Sequence, residues 1–115
     1  MNIVSLKEFR SLPEGTVYMK FNPHVFEELC IKGETWEHDF VMTYITQEID
    51  AKDSGECGAI LETAMQDSQY SIKMDFDCYG RDGLFEEKQL FAVYEKQDVE
   101  GLINALQGCL VTGYN

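Results

Sequence analysis

The residue types best able to do chemistry gather in one short run. Asp75, Asp77, Gly80 and Glu86 stand at positions 1, 3, 6 and 12 of a calcium-loop pattern. In such a loop carboxylate oxygens wrap the ion and the glycine permits a sharp turn. The match stops there. Position 5 is Tyr79, position 8 is Asp82 where an apolar residue belongs, and the entering segment alternates like a strand rather than a helix. Asp75 and Asp77 fit better as the solvent face of a strand followed by a glycine turn. We expect no metal site.

Thiol chemistry would need Cys57 beside His24 or His38. Reactive thiolates sit in electropositive surroundings, and Cys57 follows Glu56 in an acidic stretch. An ordinary loop cysteine is the expectation. Cys30, Cys57, Cys78 and Cys109 form no CxxC pair, so reduced thiols are expected, with Cys30, Cys78 and Cys109 as small core residues. The two histidines lack the tight ligand pairing of a zinc site. No phosphate-cradling glycine loop, GxSxG motif or basic aromatic patch occurs. The expectation is a protein without catalytic residues or cofactor, acting by binding rather than as an enzyme.

The elements that would position these residues follow from periodicity. Ser5 and Glu8 make a capping box, with Val4 and Phe9 at the places of a hydrophobic staple, so a short helix should carry Leu6, Phe9 and Leu12. Leu12-Pro13-Glu14-Gly15 suits a type I turn. Val17, Met19 and Phe21 then alternate with polar partners, the period of a half-buried strand. Asn22-Pro23 breaks it. Further strands are expected over 29–32, ending at Gly33, and over 39–46. Residues 47–58 have the composition of the longest exposed loop. Residues 58–66 are ambiguous between strand and helix, and the short turn after them favours strand.

The most regular alternation is Tyr70, Ile72, Met74, Phe76 and Cys78. That predicts a strand over 70–78, with a last strand over 89–95. Asp98 can cap a final helix carrying Val99, Leu102, Ile103, Leu106 and Leu110 at helical spacing. The face Tyr70, Ile72, Met74, Phe76 should then be buried against Leu102, Ile103 and Leu106. The expected fold is α+β: residues 1–115 as a single domain. It would hold an antiparallel sheet of about five to six strands, with an N-terminal and a C-terminal helix packed on it.

Composition adds the strongest functional signal. Twenty-one acidic against nine basic residues give a net charge of −12. The charge is uneven: residues 34–67 carry nine acids and only Lys52, whereas acids and bases balance over residues 1–33. Direct binding to nucleic acid is disfavoured, because that affinity comes from lysine and arginine on phosphate. No apolar run is long enough for a membrane helix, and MNIVSLKEFR lacks the features of a signal peptide. A cytoplasmic protein that does not engage a membrane is expected.

The acidic middle could be a solubility device, a surface for a basic protein groove, or a mimic of the nucleic acid such a groove holds. The candidate partner-binding residues are Glu34, Trp36, Glu37, Asp39, Glu48, Asp50, Asp53 and Glu56. Trp36 lies between Glu34 and Glu37, where it would either cap the core or anchor an interface.

In length, acidity, lack of catalytic motifs and α+β layout, the chain resembles small acidic phage and prophage accessory proteins, including anti-CRISPR proteins and DNA mimics. That resemblance implies an inhibitor docking stoichiometrically on a basic, nucleic-acid-handling host protein or nucleoprotein complex. Bacterial immunity proteins that neutralise nuclease toxins share the profile and are the alternative, ahead of an uncharacterised enzyme.

Overall fold

A computed structural model describes residues 1–46, 48–77, 79–83 and 86–114. The chain forms nine strands and three helices among these residues. The fold is α+β, a single small domain whose strand pairs are all antiparallel.

The N-terminal signals act as expected. Ser5 Oγ accepts from the Glu8 amide at 3.2 Å and starts α1 (Leu6–Arg10). The residues before it pair into a strand, β1 (Asn2–Ser5). The following turn lies one residue later than Leu12-Pro13-Glu14-Gly15 implied. The Thr16 amide donates to the Pro13 carbonyl, and Gly15 has φ 88°. Positive φ at the third position belongs to a type II turn, which favours glycine there.

The turn feeds β2 (Val17–Asn22), which pairs with the short β3 (Val25–Phe26) across Pro23-His24. Next come β4 (Cys30–Trp36) and β5 (Asp39–Tyr44). Gly33 does not end β4. A Cβ on it would lie 3.0 Å from the Val41 Cβ, so glycine lets the two strands approach closely inside the hairpin. The register shifts between Lys32 and Thr35, as at a β-bulge.

Downstream, the expected long loop and strand are replaced by a small sheet and a helix. β6 (Glu48–Ile49) pairs with β7 (Met74–Asp75), apart from the main sheet. Between them lies α2 (Ser54–Gln66). Asp53 Oδ1 accepts from the Glu56 amide at 2.8 Å, a cap that starts the helix inside the segment expected to be loop. Cys57, Ile60, Leu61, Ala64 and Met65 recur at helical spacing, which strand periodicity cannot accommodate.

Among the described residues of the expected 70–78 strand, Met74–Asp75 alone is strand. β8 (Gly80–Arg81) pairs with β5 at one edge of the main sheet. β9 (Leu90–Val93) runs through the sheet between β1 and β2. The order is β1-β9-β2-β4-β5-β8, with β3 added on β2, seven strands in all.

The core lies where α1 meets this sheet. Phe9 stacks on Phe91 with centroids 4.0 Å apart and meets Tyr18 and Phe40 edge-on or tilted. Leu6, Cys30 and Met42 complete it.

The C-terminal helix is the main departure. α3 (Lys96–Gly113) starts one turn before Asp98, with Glu95 as its cap and Asp98 accepting from the Glu95 amide at 2.9 Å. It buries no residue, and neither does α2. The face Tyr70–Phe76 is therefore not buried against Leu102, Ile103 and Leu106: Tyr70, Phe76, Ile103 and Leu106 are all exposed. Alternation and helical spacing establish amphipathic segments, and they do not establish which segment covers which. The radius of gyration is 16.7 Å, against about 13 Å for a compact chain of this length. No helix among the described residues is long and apolar enough to cross a membrane.

Candidate functional site

The bulge in β4 shapes the surface feature nearest to the sequence expectation. Along a regular strand alternate residues share a face. The bulge inserts one step, so that Ile31, Gly33, Glu34 and Trp36 all line one groove. Lys32 and Thr35 are brought together instead, with Lys32 Nζ donating to Thr35 Oγ1 at 2.6 Å and to the Gly33 carbonyl at 3.1 Å. Lys32 is only 2% exposed. Burial lowers its pKa, partly offset by the charge of Glu14.

The groove has a volume of about 560 Å³, lies wide open to solvent and is lined as well by Glu14, Val41, Thr43, Phe76, Asp77 and Tyr79. Three carboxylates line it, and no lysine or arginine does among the described residues. Its aromatic residues are open to solvent: Trp36 is 44% exposed, Phe76 69% and Tyr79 72%. Trp36 closes β4 just before a tight turn in which Glu37 has φ 48°. The Arg81 guanidinium lies 5.5 Å from its ring centroid, within range of a cation–π contact.

The expected partner-binding residues divide. Glu34 and Trp36 share the groove, and Glu37 is exposed in the adjoining turn. Asp39 is turned inward, 8% exposed, and accepts from the Phe40 amide at 2.8 Å, the Gly83 amide at 3.2 Å and Arg81 Nε at 2.9 Å. Burial pushes its carboxyl up, yet those donors outweigh it and hold it below the usual range. Asp39 is a structural residue.

Glu48, Asp50, Asp53 and Glu56 do not line the groove. Glu48 lies in β6, Asp50 pairs with Lys73 at 3.2 Å, Asp53 caps α2, and Glu56 is half-buried in its first turn. Periodicity placed Phe76 in the core, so Phe76, Asp77, Tyr79 and Glu14 escaped notice as site residues. The available signal was an aromatic residue flanked by acids, Asp75-Phe76-Asp77, comparable to Trp36 between Glu34 and Glu37.

The calcium-like run folds differently from a calcium loop. Asp75 Oδ1 accepts from the Asp77 amide at 2.9 Å, and Asp82 pairs with Lys20. Cys78 of that run lies outside the described residues. No cluster of three or more His, Cys, Asp or Glu side chains suited to a metal occurs among the described residues.

A second cavity, of about 270 Å³, is bordered by Tyr18, Lys20, Glu28, Cys30, Tyr44 and Asp82, among others. Burial pushes the Cys30 thiol up to about 11, and its Sγ donates to the Glu28 carbonyl at 3.5 Å. Burial likewise raises Tyr18 and Tyr44. All three stay protonated at neutral pH, the opposite of an activated nucleophile. Cys57 is half-buried, and Cys109 is exposed rather than a core residue.

Compared with known proteins, the chain matches no family model, no curated protein and no solved structure.

Proposed function

We propose that this chain is a non-enzymatic acidic binding protein that docks on a basic, nucleic-acid-binding surface of another protein. The observation that carries this reading is the groove in which exposed Trp36, Phe76 and Tyr79 stand among Glu14, Glu34 and Asp77, with no lining base among the described residues. Aromatic faces and carboxylates together suit lysine and arginine side chains, the groups that otherwise hold phosphate. Arg81 beside Trp36 is an internal example of that contact. A net charge of −12 would speed encounter with such a surface. With the profile of phage inhibitors, the proposed partner is a host nucleic-acid-handling protein in the cytoplasm, held stoichiometrically.

The test is capture from a bacterial lysate on the immobilised chain, followed by elution with excess duplex DNA. The retained protein should be basic and leave with the DNA. Glu34→Gln with Asp77→Asn should slow its association, and Trp36→Ala should speed its dissociation. Retention unaffected by DNA and by all three substitutions would overturn the proposal.

A further inference from the structure

α3 is an 18-residue helix without a buried residue. In proteins most of a helix's stability comes from packing its apolar face, and Gly101 and Gly108 lower the intrinsic stability of this one. Val99, Ile103, Leu106 and Leu110 recur at steps of four, three and four, the seam of a paired helix. Ile103, Leu106, Leu110 and Tyr114 are 49%, 55%, 64% and 77% exposed. Together they leave one side of the helix an exposed apolar face, the kind of patch that marks an interaction site.

Charge selects the occupant. The whole charge of −12 lies on residues 1–100, and residues 101–115 contain no charged side chain. Two copies of so acidic a chain repel on average as they approach, and residues 101–115 are the longest uncharged stretch through which they can meet without that cost. The same neutrality disfavours an anionic membrane surface, which is drawn to lysine and arginine beside the apolar face.

We propose that two copies of this chain pair through α3, antiparallel about a twofold axis. Val99 of each copy then faces Leu110 of the other, and Ile103 faces Leu106. An antiparallel pair sets the two acidic bodies at opposite ends of paired helices each about 27 Å long, well beyond a Debye length of about 8 Å. A parallel pair would press them side by side. Contacts among four residues of each copy fall short of the roughly 1,200 Å² of a standard interface, so the pairing is weak and reversible. Pairing would also present two aromatic–acidic grooves in one particle, so partner binding would gain by avidity.

Sedimentation equilibrium of the full chain over a range reaching about 100 µM tests this. A monomer–dimer equilibrium is expected, tightening as salt rises because screening removes repulsion between the bodies. Leu106→Glu should weaken dimerisation at least tenfold, whereas Met65→Glu, on the equally open α2, should leave it unchanged. Both residues are exposed, and circular dichroism confirms that each variant keeps its sheet. Cysteine pairing then reports direction: in a Cys109→Ser background, oxidation should join copies through Glu100→Cys and Gln107→Cys, which an antiparallel pair sets on one flank, and the native sequence should not cross-link through Cys109. A monomer throughout, a dimer indifferent to Leu106→Glu, or ready Cys109–Cys109 cross-linking in the native sequence would each overturn the proposal.

Discussion

Arg81 Nε donates to Asp39 Oδ2 at 2.9 Å, joining residues 42 positions apart at the point where edge strand β8 meets β5. The same guanidinium lies beside Trp36. One side chain therefore ties the sheet edge to an aromatic wall of the groove.

Asp39→Asn should destabilise the protein by about 2 kcal/mol, the scale of charge-assisted hydrogen bonds lost at a buried site. Because the folded carboxyl titrates below its ordinary value of 3.8, its stabilisation is fully present above that value. It is lost as pH falls through the lower, folded value. Urea melts from pH 7 down to acid should show the gap between wild type and Asp39→Asn closing only in that acid window. A gap independent of pH would contradict the assignment.

Two phenylalanines should behave in opposite ways. Phe9 is fully buried against Phe91, Tyr18 and Phe40, so Phe9→Ala should cost about 3–5 kcal/mol. Phe76 is exposed in the groove, and Phe76→Ala should shift stability by no more than about 0.5 kcal/mol. Thermal or chemical melts of both variants decide it, and equal losses would place Phe76 in the core after all.

Lys32 gives a pH signature of the other sign. Its folded pKa lies below the ordinary 10.5 because burial disfavours the ammonium. Between the folded value and 10.5 the unfolded chain binds more protons, so this residue's contribution to stability rises with pH. The stability of wild type relative to Lys32→Met should therefore increase from pH 7 to about 10. Taking the difference between the two proteins removes the opposing effect of Cys30, whose raised thiol favours the folded state less as pH climbs. A difference that falls with pH would rule out a buried, strained ammonium.

Thiol accessibility should rank Cys109 ahead of Cys30. Cys109 is exposed, while Cys30 is buried and pushed up to about 11, leaving little thiolate at neutral pH. Brief alkylation followed by peptide mass mapping should modify Cys109 first and reach Cys30 only with denaturant. Early labelling of Cys30 under native conditions would mean that the core opens readily.

What the sequence determined by itself was local. Ser5 with Glu8 started α1, alternation placed β2 and Asn22-Pro23 ended it, and β5 and β9 fall inside segments expected as strands, because caps, turns and strand propensities act over a few residues. The cap at Asp53 with Glu56 was equally legible and outweighs the polar composition that suggested a loop.

Tertiary structure decided the rest. Tyr70–Phe76 has the alternation of a core strand, yet only Met74–Asp75 pairs, and its partner β6 lies outside the main sheet. The helical spacing in α3 is real, yet Val99 and Leu102 are only half-buried and, among the described residues, none of the helix is fully buried. Of the site, Glu34 and Trp36 were visible from charge and residue type. Their meeting with Glu14, Phe76 and Tyr79 depends on a bulge beside Gly33, and Asp39 left the surface because distant Arg81 and Gly83 reach it. Periodicity states that a segment has an apolar side. Which surface meets that side is settled by contacts between residues far apart in the chain, and short spacings carry no record of them.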